Sequence, residues 1–498
     1  MANNHKNSLW LFIQYIIVLL VSLISLKINI LNYGPELFGI FIIINSILIL
    51  GIAFDLGIGT SIVKYVAELN HSDESGDELN ALVSTGLILF LAIGLIYVTV
   101  LYSIKNILIY SRNLIPVHYK EEADFIFLLL CFAFYFNFIS IYFKSIFEGL
   151  NNFITPSIVI ISQNALLLII VALCYLFKLD IKIFSILFSL NYLVTISAYI
   201  ILFIKKTKKI KISPLLFKYS LIKRIAKFSF SVQMISLFSA LIDPTIKFMI
   251  GNFYNVGYVS FYEIGKRFAM AISGLFFTTF RNLLPITSIL KTKEDYSQFL
   301  YSDGIKFTRL GLTYSGLVFG ILSFFILVFM KISFGYDKAL LIFMILSMSE
   351  IINNMGYTLY IFLIGIGKAF FISSVQFINI VITSLILYFS FLYTHSLLGL
   401  LGYSSSVFIV NILMLYYLKH IMEFSILNWF KEIKIFKLFF LLSATLIVII
   451  VLYKEMISFY YPMLGLMILS ILVFQKDIRE NILYLINIFE LKRKRNDG

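Results

Sequence analysis

The chain alternates long apolar runs with short polar breaks. An apolar run of about twenty residues can cross the roughly 30 Å hydrocarbon core of a bilayer as a helix. We predict about fourteen such helices, which begin near Leu9, Leu37, Leu79, Phe125, Ile154, Lys182, Phe228, Val256, Ile305, Lys338, Ala369, Leu397, Ile435 and Ile457. The pattern therefore predicts an all-α integral membrane protein.

Composition agrees with this class, since 60% of the residues are hydrophobic, 13% are charged and the mean hydropathy is +0.97. The first apolar run has a weakly basic flank and no small-residue cleavage site, so we interpret it as a retained helix rather than a removed signal. Cys131 and Cys174 both fall within predicted spans. Neither a disulfide framework nor a cysteine-based zinc site is therefore expected, and we predict no metal or cofactor.

The basic residues are distributed unevenly along the chain, whose net charge is +14. A cytosolic N-terminus assigns 27 of the 40 Lys and Arg residues to inside flanks and 8 to outside flanks. The positive-inside rule then predicts that both termini of this multi-pass protein are cytosolic. The basic segment 205–227 has no acid and no interleaved aromatic platform. We therefore assign it to topology and anionic lipid rather than to nucleic acid.

Charged residues also occur inside the predicted spans. The cations are Lys27, Lys247, Lys266, Arg267 and Arg281, and the acids are Asp55, Asp243, Glu263 and Glu350. A charge at the bilayer centre costs about 2.5–3.5 kcal/mol on insertion scales, so such residues usually face a bundle interior or a water-filled cavity. Lys27 and Arg281 lie toward the ends of their helices and could instead extend to the interface.

Local pairing is the alternative explanation for four of these charges. Asp243 and Lys247 are four residues apart, as are Glu263 and Arg267, so each pair shares a helix face and can neutralise itself. On this interpretation the charges are structural and bind no ligand.

Local pairing does not account for the other three charges, Lys266, Asp55 and Glu350. None of them has an unpaired residue of opposite charge three or four positions away. Glu350, Asn353 and Tyr357 recur every three to four residues and form a polar stripe through one span. A stripe of this kind more often lines a cavity than faces lipid.

Short motifs recur at a nearly constant offset. "FEGLNNF" matches "LIGIGKAF" when Gly149 is aligned with Gly365, and Asn137 then falls on Asn353, both 216 residues apart. "NYGPELFG" and "NFYNVG" match with an offset of 218. "GIGK" lacks the spacing of a phosphate-binding loop, and its match to "GLNN" predicts a turn between helices.

These repeats predict two homologous six-helix bundles and a C-terminal extension. The predicted segments are 1–210, 211–425 and 426–498, the last with two helices and a basic cytosolic tail. Six is an even number, so both bundles enter the membrane in the same orientation. Their pseudo-two-fold axis lies along the membrane normal, an arrangement found in transporters.

Two segments resemble a known family. "ELFGIFIIINSILILGIAFDLGIGTSIVKYVAEL", residues 36–69, is similar to the second-helix signature of polysaccharide flippases in the MATE/oligosaccharidyl-lipid (MOP) exporter superfamily. "IDPTIKFMIGNFYNVGYVSFYEIGKRFAMAISGLFFTTFRNLLPITSIL", residues 242–290, resembles the seventh and eighth helices of the same family. The resemblance extends over roughly residues 1–425.

The resemblance implies an O-antigen (Wzx-type) or related exporter, not an enzyme. Such a protein turns an undecaprenyl-diphosphate-linked oligosaccharide from the inner to the outer leaflet by alternating access, in contact with the bilayer and with polysaccharide polymerase machinery as a possible partner. The five intramembrane cations would bind the diphosphate or glycan. The four acids would supply counter-charge or couple transport to a proton or sodium gradient, with Asp55 and Glu350 as the coupling candidates.

Two other functions compete with this one. A MATE-type multidrug or cation exporter would favour acids over bases in its interior, whereas this chain has five intramembrane cations and four acids. A membrane-embedded O-antigen polymerase or ligase would need a sizeable outside segment, but the longest predicted outside break, about 104–124, carries few charges. Both alternatives fit the sequence less well than a flippase.

Overall fold

The computed structural model describes most of the helical part of the chain. The described residues are 2–53, 58–70, 76–110, 115–207, 210–280, 287, 292–333, 337–422, 425–453, 465–466, 468–470 and 472–473. The described residues contain helices and turns and no β-strand. Nine of their helices are long and apolar enough to cross a membrane. The predicted all-α membrane class is therefore confirmed.

Backbone packing divides the chain into two compact units, Met1–Ser260 and Phe261–Gly498. The first unit contains α1 (Ala2–Ala53), α2 (Ile58–Asn70), α3 (Gly76–Tyr110), α4 (Lys120–Gly149), α5 (Ile154–Leu176), α6 (Ile181–Lys206) and α7 (Tyr219–Phe253). Helix α8 (Gly257–Phe280) begins in the first unit and continues in the second. The second unit then contains α9 (Lys293–Phe299), α10 (Ile305–Ser333), α11 (Asp337–Gly365), α12 (Ala369–Thr394), α13 (Leu401–Ile421), α14 (Ile426–Glu432) and α15 (Ile435–Tyr453).

The predicted boundary after residue 210 rests on sequence repetition, and it differs from this division by packing. Helix α7 packs on α1 and α2 and so belongs to the first compact unit, although the repeat assigns it to the second bundle. The division into 1–210, 211–425 and 426–498 stays a prediction about internal homology. The fourteenth predicted helix, near Ile457, falls mostly on residues that the structure does not describe.

Helix α1 contains the first two predicted spans, and its helical backbone is interrupted at a single residue between them. Gly34 has φ 77° and ψ 163°, and Pro35 follows it. Only glycine adopts such a backbone at low cost, and proline cannot donate the next helical hydrogen bond. Fifty-two helical residues would extend about 78 Å at 1.5 Å per residue, more than twice the apolar core of a bilayer. The break at Gly34 therefore separates two spans.

Aromatic rings fill the interior of the first unit. The Phe41 ring lies 5.3 Å from the rings of both Phe184 and Phe188, which joins α1 to α6. Phe90 on α3 similarly contacts Phe138 on α4, with ring centroids 4.8 Å apart. Offset and edge-on ring contacts of this kind stabilise packing beyond the area that they bury. Many of the phenylalanines are therefore core residues.

The two turns aligned by the sequence repeat have the same hydrogen bonds. The Asn152 N–H donates to the Phe147 carbonyl at 2.9 Å, and 216 residues later the Lys368 N–H donates to the Leu363 carbonyl at 2.9 Å. Asn151 has φ 56° and its counterpart Gly367 has φ 80°, so both turns end a helix with a left-handed residue. The prediction that "GIGK" is a turn between helices is confirmed.

Helix α11 is the most enclosed candidate span among the described residues. In the 18-residue apolar window of α11, 89% of the residues are buried. The buried share of the corresponding window in the other eight candidate spans ranges from 17% to 56%. Helix α11 packs against α10, α13 and α15 in the second unit. A span so enclosed has little surface left for lipid, which makes each of its exposed positions informative.

Candidate functional site

Lys247 and Asp243 form an ion pair inside the first unit. The Lys247 ammonium lies 2.9 Å from an Asp243 carboxylate oxygen and donates a 2.7 Å hydrogen bond to the Ser46 hydroxyl on α1. Lys247 is only 4% exposed. Pro244, which has no N–H, interrupts the backbone ladder of α7 beside the pair. The geometry is that of a structural link between α1 and α7, so it supports the pairing alternative for Lys247 more than a role in ligand binding.

The start of α8 packs closely on the break in α1, within the first unit. The Ser260 hydroxyl donates a 2.8 Å hydrogen bond to the Pro35 carbonyl beside the break. Gly39 lies directly against the Val256 carbonyl, and Gly257 lies against Glu36. Gly39 and Gly257 are the positions that the repeat aligns, so two matching turns contact each other through their glycines. A side chain at position 39 would separate them.

Glu263 and Arg267 form the second predicted pair, in the second unit. The Arg267 Nε donates to a Glu263 carboxylate oxygen at 3.0 Å. The Arg267 side chain is 32% exposed and that of Glu263 is 12% exposed. The two side chains thus share one face of α8 and neutralise each other locally. The predicted pairing of Glu263 and Arg267 is therefore present, and anion binding by Arg267 stays a prediction.

Lys266 and Glu350 are brought together by the packing of α8 and α11. The Glu350 carboxylate is in hydrogen-bonding contact with Ser273 and interacts electrostatically with the Lys266 ammonium. Lys266 and Glu350 are both half-buried, whereas Ser273 is buried. From the sequence we predicted separate roles for the two charges, diphosphate binding for Lys266 and ion coupling for Glu350. The structure places them in one cluster, which we call the Lys266 cluster (Lys266, Glu350 and Ser273).

The polar stripe predicted on α11 begins at this cluster. Glu350 is half-buried, Asn353 is exposed and Tyr357 is half-buried, although the residues between them are almost all buried. The Tyr360 ring, one turn further, lies nearly parallel to that of Tyr357, with 5.9 Å between the centroids and 15° between the planes. Polar and aromatic groups thus share the one open face of an enclosed helix.

The remaining predicted site residues are placed less fully. Lys27 is half-buried on α1 and has a polar or electrostatic partner. Asp55 and Arg281 lie outside the described residues. Within the described ranges, no group of three or more His, Cys, Asp or Glu residues could hold a metal ion, and Cys131 and Cys174 are buried and not bonded to each other.

Sequence reasoning missed Ser46, Ser273, Ser260 and Tyr360. The three serines could not be recognised from the sequence, because a serine in a transmembrane helix usually donates a hydrogen bond to its own helix. Ser46 also makes such a bond, to the Ile42 carbonyl. Tyr360 could have been found, since it continues the stripe three residues after Tyr357.

Comparison with known families and structures agrees with this fold. A family described as "Polysaccharide biosynthesis protein" matches residues 5–291. Comparison with curated proteins finds no match.

Several solved transporter structures are similar to the chain. An inward-facing multidrug resistance MATE family transporter of the MOP superfamily matches with a TM-score of 0.62 and 12% identity, over 82% of this chain and 93% of its own. The lipid II flippase MurJ, in an inward closed conformation, matches with a TM-score of 0.62 and 20% identity, over 97% and 99%. The MATE transporter VcmN of Vibrio cholerae, as a point mutant, matches with a TM-score of 0.56 and 13% identity, over 88% and 100%. The fold is thus that of the MOP superfamily, as the sequence predicted.

Proposed function

Because the chain belongs to the polysaccharide biosynthesis protein family, we propose that it is a flippase for an undecaprenyl-diphosphate-linked oligosaccharide. The cargo would be a repeat unit of O-antigen, capsule or exopolysaccharide, moved from the inner to the outer leaflet of the cell inner membrane. The similarity of the fold to transporters that include a lipid II flippase supports the class of reaction. The choice of cargo rests on the family and on the charges inside the spans.

The Lys266 cluster is the observation that carries the proposal. A half-buried ammonium in the second unit, beside a carboxylate of another helix, is costly to maintain within a span, so it is retained where it has a task. A diphosphate is the anion of the proposed cargo, and its several oxygens accept charge-assisted hydrogen bonds. The same bonds would help to carry the diphosphate through a medium in which it is otherwise poorly solvated.

The electrostatic interaction between Lys266 and Glu350 suggests how binding and ion coupling are joined. Without cargo, Glu350 neutralises Lys266 and keeps the cluster stable in the membrane. A bound diphosphate competes with Glu350 for the ammonium, which leaves the carboxylate without its counter-charge. Glu350 then takes up a proton or a sodium ion, because an uncompensated carboxylate in a span is unfavourable. The ion gradient is thereby linked to the presence of cargo.

The contact between α1 and α8 provides a means of closing one side of the pathway. On the predicted topology, Gly34 to Gly39 and Val256 to Ser260 lie at the outer surface, where both turns connect outward and inward spans. Close packing through Gly39 and the Ser260 hydrogen bond seals these two segments together. In an alternating-access cycle this contact opens when the cargo leaves, while the polyprenyl tail remains in lipid through a lateral opening.

The proposal is tested by removing the protein from cells and identifying the lipid-linked glycan that accumulates on the inner leaflet. We expect one undecaprenyl-diphosphate oligosaccharide to accumulate, and surface polysaccharide to be lost. Return of the wild-type chain should restore both. Normal surface polysaccharide in cells that lack the protein, with no accumulation, would contradict the function.

Multidrug export is the second candidate, since two of the three solved structures described above are MATE transporters. A site for cationic drugs needs acidic groups that are available to the drug. Glu263 and Glu350 each interact with a basic side chain instead. Drug efflux that depends on this protein, together with unchanged surface polysaccharide, would favour the exporter.

A further inference from the structure

The open face of α11 carries a second set of groups beyond the Lys266 cluster. Asn353 is exposed, although 89% of the apolar window of this span is buried. An amide side chain that faces lipid would leave its two donors and its acceptor without partners, so a polar residue in a span usually borders a water-filled space. The exposed face of α11 is therefore expected to border such a space.

The open face covers a narrow sector of the helix. At 3.6 residues per turn, Glu350, Asn353, Tyr357 and Tyr360 fall within an arc of about 80°, and they extend over roughly 15 Å along the axis. That length corresponds to about three helical turns. The sector thus forms a strip that leads away from the Lys266 cluster rather than a single point.

Interhelical hydrogen bonds hold α11 in the rotation that exposes this strip. The Asn354 amide donates to the Ser315 hydroxyl of α10 at 2.6 Å, and the Asn411 amide of α13 donates to the Ile352 carbonyl at 2.8 Å. Asn411 also fits directly against Gly356, where a Cβ atom would collide with it. Rotation of α11 would break these contacts, so the strip is preorganised.

The chemistry of the strip suits a sugar ring. The Tyr357 and Tyr360 rings are half-buried and nearly parallel, and they present an aromatic surface of two rings. The apolar C–H face of a pyranose packs on such a surface, whereas its hydroxyl groups need neutral donors and acceptors. The Asn353 amide supplies both kinds of group. A diphosphate has no apolar face to pack on the rings, and a polyprenyl chain has no polar group to bond to the amide. The strip therefore suits a sugar better than either of them.

The fold itself does not require the aromatic pair. In the first bundle of the repeat, the residues 216 positions earlier are Asn137, Ile141 and Lys144, so the asparagine recurs and the tyrosines do not. Lys144 instead approaches Glu148 at 3.6 Å. A helix in the equivalent place therefore forms without the two rings. The two rings are therefore a feature of the second bundle that the repeat does not share.

We propose that Asn353, Tyr357 and Tyr360 form a glycan subsite that binds a sugar ring of the lipid-linked oligosaccharide, next to the Lys266 cluster that binds its diphosphate. This inference rests on the proposed function and extends it from the anion to the sugars. The Lys266 cluster determines whether a polyprenyl diphosphate binds. The α11 strip determines how much the attached sugars add to that affinity.

Binding to the full-length protein in lipid nanodiscs tests the subsite with two probes. The first is undecaprenyl diphosphate, and the second is the lipid-linked oligosaccharide extracted from cells that lack the protein. We expect wild type to bind the second probe more tightly than the first. The double variant Tyr357→Leu/Tyr360→Leu should weaken binding of the oligosaccharide probe roughly tenfold, as expected for the loss of two ring contacts, and leave binding of undecaprenyl diphosphate unchanged.

Three variants serve as controls. Tyr357→Phe/Tyr360→Phe retains the ring surface and should bind both probes as wild type does. Tyr388→Leu makes the same chemical change at a tyrosine of α12 that is 47% exposed, and should have no effect. Lys266→Gln should weaken both probes equally. The thermal unfolding temperature of each variant shows that it is folded.

Each contrary result has a distinct meaning. If the folded Leu double variant retains the full advantage of the oligosaccharide probe, or loses affinity for both probes equally, the glycan subsite is wrong while the flippase proposal stands. If wild type binds the two probes equally, the subsite is also wrong. If wild type binds neither probe, the proposed function fails and the subsite fails with it.

Discussion

The Lys247 ammonium donates a 2.7 Å hydrogen bond to the Ser46 hydroxyl, across 201 residues of sequence. This bond joins α7 to α1 at a place where the lysine is almost completely buried and also pairs with Asp243. A buried cation with two protein partners has few donors left for a ligand. The finding separates Lys247 from Lys266, which the sequence had grouped together as cations for the diphosphate.

Substitution of Lys247 should weaken this link between α1 and α7. Lys247→Met should destabilise the protein by about 3–5 kcal/mol, because it removes the Lys247 charge that pairs with the Asp243 carboxylate inside the span. Adding Asp243→Asn removes the carboxylate charge and should restore most of the stability. Thermal unfolding in detergent measures both effects. Export by the stable double variant tests the role directly: normal export means a structural link, and lost export means that Lys247 contacts the cargo.

Lys266 should behave differently. Lys266→Gln is expected to abolish export at normal protein levels, whereas Lys266→Arg should retain part of it, because the positive charge matters more than the shape of the group. Surface polysaccharide and the inner-leaflet glycan measure export. Lys182→Gln is the matched control, since Lys182 forms an exposed ion pair with Glu121 at 2.8 Å and should be dispensable. Full export by a well-expressed Lys266→Gln variant would show that Lys266 does not bind the cargo and that its charge is structural.

Glu350 is predicted to connect cargo to the ion gradient. Glu350→Gln keeps the size and the contact with Ser273 but cannot exchange a proton or attract sodium. We expect it to bind undecaprenyl diphosphate at least as tightly as wild type, since the competing carboxylate charge is gone. Export should lose its dependence on the proton or sodium gradient in proteoliposomes. Retained gradient dependence would assign the coupling to another acid, with Asp55 as the next candidate.

Gly39 should control the closed contact between α1 and α8. Gly39→Ala places a methyl group against the Val256 carbonyl and should separate the two segments. The measurement is labelling of a Ser260→Cys reporter by a membrane-impermeant maleimide. Ser260 is fully buried, so labelling should be slow in the wild-type background and at least several-fold faster with Gly39→Ala. Gly76→Ala is the control, because among the described residues a Cβ there meets no atom of another segment within 4 Å. Equal labelling in both backgrounds would show that Gly39 does not hold the contact.

The predicted topology is tested by reporter fusions. Fusions after Lys211 and at the C-terminus should both report a cytosolic location, because 27 basic residues lie on the predicted inside flanks and 8 on the outside flanks. An external report from either fusion would show that the count of fourteen helices is wrong.

Local features of the structure could be predicted from the sequence because their causes lie within a few residues. The spans follow from apolar length, and helices α5, α10, α12 and α15 begin at the predicted residues Ile154, Ile305, Ala369 and Ile435. The pairs Asp243–Lys247 and Glu263–Arg267 form as expected, since residues four apart share a helix face. The two matching turns close through hydrogen bonds between residues no more than five positions apart.

Which helices face one another follows from packing between distant segments, and this packing gives the charges different roles. Lys247 and Lys266 have the same side chain and both lie within spans, yet one is enclosed by Ser46 and Asp243 and the other lies near Glu350 on a half-buried surface. Hydropathy shows that a helix enters the membrane but not which of its sides meets protein, lipid or water. That depends on the close packing of several distant segments, as at Gly356 and Asn411, and such complementarity has no signature in a single stretch of sequence.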